Sequence, residues 1–267
     1  MKALIVCNNN ERSRLAADRA RELFLASGDE AVVTEKGLSE NADLCVVVGG
    51  DGTVLHAGKE AALRGIPVLA LNTGRVGFLT VPEKREAVGV SQLLRNAHRE
   101  RRMLLEFGVF GADGGLLSSG FALNEAVVSR GGISRIIDIE VAVDGCEIYT
   151  VRGDGVIIAT PTGSTAYSMS AGGPIVAPEV SSVIVTPVCP YTLTARSVVL
   201  PDTAEVSARV VGLGDREATL TVDGDAPVPL QDGDRVVLRC SDKYLELLAP
   251  DETAFYEKIK TKLFGLN

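Results

Sequence analysis

Five consecutive apolar residues, Leu44-Cys45-Val46-Val47-Val48, constrain this chain most, because they run without alternation into Gly49-Gly50-Asp51-Gly52-Thr53. A β-prone run with no polar face is buried on both sides, the condition of a strand in a parallel sheet covered by helices. Residues 3–7 form a second such run, and 31–34 and 68–71 read as further strands. Helical spacing lies between them. Asn10 can cap a helix that carries Ala16, Ala20, Leu23 and Phe24 and stops at Gly28. A second helix spans 54–64 and ends at Gly65 and Pro67, and a third covers about 82–97. This alternation predicts an α/β domain over residues 1–100 with a Rossmann-like parallel sheet. Loops at the carboxyl edge of such a sheet bind ligands. The glycine-rich loops 49–53 and 72–77 both fall there.

Near residue 100 the texture changes. Short β-rich segments follow one another at 102–110, 116–129, 135–143, 154–160, 183–188, 205–211, 217–223 and 234–240, divided by turns such as Asp144-Gly145. Strands without intervening helices predict an all-β, sandwich-like domain over 101–248, interrupted by one helix near 164–172. The tail 251–264 places Phe255, Ile259 and Leu263 on one helical face. A C-terminal helix, within 249–267, is expected to pack back on the first domain.

Composition excludes several function classes. The formal net charge is -8 and the densest basic run, Arg99-Glu100-Arg101-Arg102, is short and interrupted. It reads as solvated surface or a domain junction, so no nucleic-acid partner is expected. No stretch approaches the roughly 20 apolar residues of a membrane span, and the N-terminal run is too short for a signal peptide core. The five cysteines include no CxxC pair. Cys7, Cys45 and Cys189 sit in apolar runs and read as buried free thiols, which fits a reducing cytoplasm.

The chemistry concentrates in three segments. In Gly49–Thr53 the glycines let backbone approach a ligand, and free N–H groups with the following helix start make an anion site. An aspartate there repels phosphate but can polarise a nucleophilic hydroxyl, as phosphoryl transfer asks of a carboxylate. The alternative is a plain strand-to-helix turn capped by Asp51. Asn72–Leu79 is a second ligand-facing loop, whose Phe78 either stacks on an adenine or fills core. Asn124-Glu125 offers an amide and a carboxylate suited to ribose hydroxyls, or is a surface turn. Arg152-Gly153-Asp154-Gly155 precedes a strand that opens into Thr160-Pro161-Thr162-Gly163-Ser164-Thr165-Ala166-Tyr167-Ser168-Met169-Ser170. Its small hydroxyl residues at a helix start suit a nucleotide. His98 reads as an exposed helix end, and His56 as a ligand contact or a surface residue.

Together these segments resemble the NAD kinases, which phosphorylate the adenosine ribose 2′-hydroxyl of NAD. The resemblance runs through Gly49–Thr53, Gly74–Leu79, Asn124-Glu125, Asp154-Gly155, Thr160–Tyr167, Gly172-Gly173-Pro174, Pro190–Pro201, Asp223-Gly224 and the C-terminal helix. It implies Asp51 as catalytic base and Gly49, Gly50, Gly52 and Thr53 as the phosphate loop. His56 would approach the diphosphate of NAD, and Asn124 and Glu125 would hold the adenosine part. Asp154 would hold the nicotinamide side with Arg152 beside it, and Arg135 would add a contact. Phe78 and Thr165, Ala166, Tyr167, Ser168, Met169 and Ser170 would line the NAD site. ATP or polyphosphate would be the donor, a divalent cation such as Mg²⁺ would bridge its phosphates, and the protein would be a homodimer or homotetramer. Thr73, Tyr191 and Asp225 depart from the family's usual residues. Lipid kinases share Gly49–Thr53 but have no counterpart to Thr160–Tyr167. A non-catalytic nucleotide sensor could keep the loops yet dispense with Asp51.

Overall fold

The computed structural model describes residues 1–35, 37–38, 41–74, 77–82, 97–132, 135–192, 194–249 and 254–265. The chain divides into two compact units, Met1–Arg102 with Lys243–Asn267, and Met103–Asp242.

The first unit is built on a parallel sheet. Strands β1 (Lys2–Cys7), β2 (Glu30–Thr34), β3 (Leu44–Val48) and β4 (Val68–Asn72) lie in the order β2-β1-β3-β4, and the short β5 (Val81–Pro82) adds to β4. Every residue of β3 and β4 is buried, as the unbroken apolar runs require. Helix α1 (Glu11–Ala26) starts where Asn10 accepts the Ser13 N–H at 2.8 Å. It buries Ala16, Ala17, Ala20 and Phe24 against β1 and β3. Leu23, expected in that stripe, is exposed, because it falls at the margin of the face set by Ala20 and Phe24. Helix α2 (Asp51–Arg64) begins three residues before its sequence-predicted start, directly at the aspartate, and Gly65 closes it with φ 67°. Most of the helix expected over 82–97 falls at 83–96, outside the described residues.

The second unit contains a six-stranded antiparallel sheet, ordered β13-β12-β11-β8-β15-β16. Its strands are β8 (Glu125–Arg130), β11 (Gly155–Ala159), β12 (Ser182–Val188), β13 (Val198–Pro201), β15 (Ala218–Val222) and β16 (Val228–Leu230). A second antiparallel group contains β9 (Ile137–Val143), β10 (Cys146–Gly153), β14 (Val206–Val211) and the start of β17 (Arg235–Ala249). The hairpin of β6 (His98–Phe110) and β7 (Leu116–Ala122) joins through β6 to β17. Alternate residues of both sheets, such as Val128, Ile158, Val185 and Leu220 against Ile139, Val206 and Val236, form one core. This is the sandwich the short strands predict.

Several boundaries differ from the sequence reading. The run 116–129 is two strands, β7 and β8, broken at Leu123-Asn124. Strand β10 went unread because it is largely exposed and carries a bulge between Glu147 and Tyr149, which scrambles its alternation. The helix near 164–172 shrinks to a 3₁₀ turn at Gly163–Thr165 and helix α3 (Tyr167–Ser170). Hydroxyls there bond to local backbone, Thr165 Oγ1 to Thr162 O at 3.3 Å for example, and so compete with helix formation. Cys189 is exposed, at a turn residue with φ 45°, rather than buried. His98 opens a strand, not a helix end. Arg102 and Glu100 are not solvated surface. They form a buried ion pair, Arg102 Nε to Glu100 Oε2 at 3.0 Å, at the end of the first unit's N-terminal stretch.

Strands β6 and β17 each contain a unit boundary. In the first unit Leu247 of β17 pairs in parallel with Val68. The terminal helix α4 (Ala254–Leu263) buries Phe255, whose ring lies 6.3 Å from that of Phe78.

Candidate active site

In the first unit the site begins where β3 ends. Gly49 closes the strand by donating to Leu71 O at 2.9 Å, and Gly50 is the extended residue that caps α2. Asp51 therefore occupies the first helical position, over the positive end of the helix dipole. Its carboxylate is held from across the fold: Phe78 N–H donates to Oδ2 at 2.8 Å and Leu79 N–H to Oδ1 at 3.2 Å. Gly77 lies so close that a β-carbon there would overlap the carboxylate. The loop is pinned in turn by Thr80, whose hydroxyl accepts from Gly77 N–H at 2.9 Å and from the buried Asn72 amide at 2.8 Å. Two N–H bonds leave a carboxylate with further lone pairs. The result is an oriented, half-buried acceptor beside a glycine-lined helix start. Gly52 and His56 are exposed along α2, with Thr53 half-buried. The Phe78 ring is tilted 50° against that of Phe255 rather than stacked on it, with the Lys262 ammonium 5.0 Å from its ring centre.

In the second unit Asn124-Glu125 is a buried turn, not a surface one. One carboxylate holds it. Asp223 Oδ2 accepts from Leu123 N–H at 2.8 Å, and Oδ1 accepts from Asn124 at 2.8 Å and Glu125 at 3.1 Å. Asp223 can reach back because it stands at the first corner of a tight turn, with φ 50° at Asp223, 78° at Gly224 and a 2.8 Å bond from Asp225 N–H to Val222 O. Thr160 clamps the other side, donating its hydroxyl to Leu123 O at 2.6 Å and its N–H to Asn124 O at 2.8 Å. Gly163 is packed against Asn124 so closely that a β-carbon would overlap its carbonyl.

Glu125 is the chemically unusual member. Its Oε2 is buried without a hydrogen-bond partner among the described residues. Burial first, and the charge of Asp223 second, push its carboxyl up to about 7, against the opposing pull of the Tyr167 backbone N–H. An orphaned buried carboxyl oxygen lacks only a donor. Glu125, Asp223, Thr160 and the Thr165–Tyr167 segment are thus brought together.

The other sequence-predicted residues sit in their own networks. Asp154 pairs with Arg130 at 2.7 Å, which also reaches Gly132 O at 2.6 Å. Arg152 faces Asp138 at 3.8 Å, and the exposed Arg135 lies 3.3 Å from Asp215. Ser168 is fully buried, its hydroxyl 3.0 Å from that of Thr186, so it positions its segment rather than facing solvent. Ala166 and Met169 are half-buried, and Tyr167 and Ser170 are exposed. Asp223 was not among the candidate site residues, although Asp223-Gly224 carries the turn signature that would place it.

Residues 3–98 match the family model of the ATP-NAD kinase N-terminal domain, and residues 123–249 that of the C-terminal domain. The NAD kinase of Koribacter versatilis is 40% identical over 239 residues, covering 89% of this chain and 83% of that protein. Yeast NADH kinase, solved in complex with NADH, aligns with a TM-score of 0.85 at 26% identity, over 100% of this chain and 88% of its own. An Archaeoglobus fulgidus NAD kinase solved in complex with ATP aligns at 0.79 and 27% identity, over 99% and 98%. With matches over both halves and nearly its whole length, the chain belongs to the NAD kinase family, phosphotransferases that act on a hydroxyl group of NAD.

Proposed function

We propose that the chain phosphorylates the adenosine ribose 2′-hydroxyl of NAD⁺ to give NADP⁺, with Asp51 as the catalytic base. The observation that carries this reading is the Asp51 carboxylate at the head of α2, fixed by the Phe78 and Leu79 N–H groups. Asp51 accepts the 2′-hydroxyl proton as the oxygen attacks the donor's γ-phosphorus, and the bond to the bridging oxygen breaks nearly in line. General-base help of this kind is worth roughly 10²–10⁴ in rate. The N–H groups at Gly50 and Gly52 hold phosphate oxygens, Gly49 and Thr53 shape the loop with their own N–H groups donating to Leu71 O and Gly50 O, and His56 approaches the diphosphate. Asn124 and Glu125 take the adenosine part, with the unpartnered Glu125 Oε2 accepting from the ligand. Asp154 and Arg152 serve the nicotinamide side, Arg135 adds a contact, and Phe78 with the 165–170 segment lines the nucleotide.

ATP is the donor in this reading, with polyphosphate as the alternative donor. A bound divalent cation, Mg²⁺ by preference, would neutralise charge on the transferring phosphoryl group. The described residues hold no cluster of three His, Cys, Asp or Glu side chains. Mg²⁺ usually binds through phosphates and water with one or two carboxylates, and the ion would be held here mainly by the donor phosphates. No helix among the described residues is long and apolar enough to cross a membrane. We place the protein in the cytoplasm, as a homodimer or homotetramer. The test is incubation with NAD⁺ and Mg·ATP, reading product with an NADP⁺-specific dehydrogenase. NADP⁺ supports the reading; NAD⁺ bound but never phosphorylated would leave a nucleotide sensor.

A further inference from the structure

The C-terminal helix carries a charged group that the proposed mechanism does not use. Lys258, half-buried on α4, donates from Nζ to the carbonyl oxygen of Phe78 at 2.7 Å. That carbonyl belongs to the same peptide unit as the Leu79 N–H, which donates to Asp51 Oδ1 at 3.2 Å. An ammonium, one peptide group and the carboxylate therefore stand in a single hydrogen-bonded row. Each bond in such a row polarises the next, and the peptide dipole points its positive end at Asp51. Aromatic packing holds the helix in place, since Phe255 is buried with its ring against Phe78, and Lys262 lies over the same ring.

We propose that Lys258 is a positioning residue for phosphoryl transfer, holding the Phe78–Leu79 peptide from α4 so that its N–H orients the Asp51 carboxylate. The proposal rests on the reading of Asp51 as base. A lysine is an odd choice for a merely structural bond, because burying its ammonium costs free energy that a neutral donor would not incur. The charged groups facing it are Asp51 on α2, Glu100 and Arg102 on β6, and Lys262 on its own helix. Burial first, then Arg102, bring its ammonium down to about 8, with Glu100 and Asp51 opposing the fall. Its charge is therefore lost within a pH range where activity can be measured.

Three proteins, wild type, Lys258→Met and Lys258→Arg, test this with Asp51→Asn run alongside. Hydrogen exchange at the Phe78 and Leu79 amides should quicken in Lys258→Met and stay slow in Lys258→Arg. In Lys258→Met, kcat should fall roughly 10- to 100-fold, the scale of a mispositioned catalytic group, while KM for NAD⁺ holds within about twofold. Wild-type kcat should decline as pH rises through about 8, and Lys258→Arg, whose charge persists, should keep its rate. Lys258→Met with wild-type kcat, while Asp51→Asn is inactive, would overturn the proposal and leave the base reading standing. Asp51→Asn with wild-type activity would overturn both.

Discussion

At the scale of single residues, the chemistry proposed for the first unit depends on how closely Asp51 is approached. Gly77 leaves no room for a side chain beside that carboxylate. Gly77→Ala should cut kcat by about 10² with a smaller change in melting temperature, measured by steady-state kinetics and thermal unfolding. Glu125 gives a pH prediction. Its native carboxyl sits near 7, above the ordinary glutamate value of 4.5. The folded protein thus binds more protons than the unfolded chain between those values, and stability from this group falls as pH rises from 4.5 to 7. A ligand that donates to Oε2 prefers the ionised form, so NAD⁺ should bind more tightly as pH rises through about 7. Calorimetric titration of Glu125→Gln should give an affinity that is flat over that range and weaker at its upper end. Asp51 stands out in the sequence as a candidate because the motif is local: an apolar strand, two glycines, then an acid. Its two donors, Phe78 and Leu79, stand 27 and 28 residues further on, and no periodicity records such a bond.

Secondary elements show why some of the fold could be read and some could not. Strands β1, β3 and β4 announced themselves because both their faces are buried, so nearly every residue is apolar. Strand β10 did not, since a mostly exposed strand carries Glu147, Tyr149 and Thr150 where alternation would be sought, and a bulge shifts the phase. The Thr160–Ser170 segment reads as a candidate ligand loop from its composition, and its helix is shorter than expected because its hydroxyls satisfy local backbone groups. The β15–β16 turn carries the prediction at this scale. Asp223→Ala would strip acceptors from three N–H groups of the buried Leu123–Glu125 turn. Urea unfolding should register a loss on the order of 3 kcal/mol, and KM for NAD⁺ should rise more than kcat falls. An unchanged KM would mean that the turn does not hold nucleotide.

For the whole molecule, the change from alternating strands and helices to consecutive short strands told of two architectures in one chain. The class of each followed from how many faces its strands bury. The polar bonds that tie distant segments together could not be read so. Asp223 reaches Asn124 over 99 residues and Lys258 reaches Phe78 over 180. Such bonds depend on the completed fold, and a sequence pattern records only neighbours along the chain. The same distance hides the Lys258 bond, whereas the local spacing of Phe255, Ile259 and Leu263 makes the C-terminal helix legible. A net charge of -8 is no obstacle to an anionic substrate when binding is local, through helix ends and backbone N–H groups.

Everything proposed for the first unit turns on Asp51 being the base in a phosphoryl transfer to NAD⁺. The measurement that tests it most directly is the kcat for NADP⁺ formation from NAD⁺ and Mg·ATP in wild type and Asp51→Asn, with NAD⁺ binding measured on both. Asn keeps the size of the side chain and removes its basicity, so a fall of about 10² or more in kcat with NAD⁺ still bound is the predicted result. NADP⁺ formed at the wild-type rate by Asp51→Asn would contradict it.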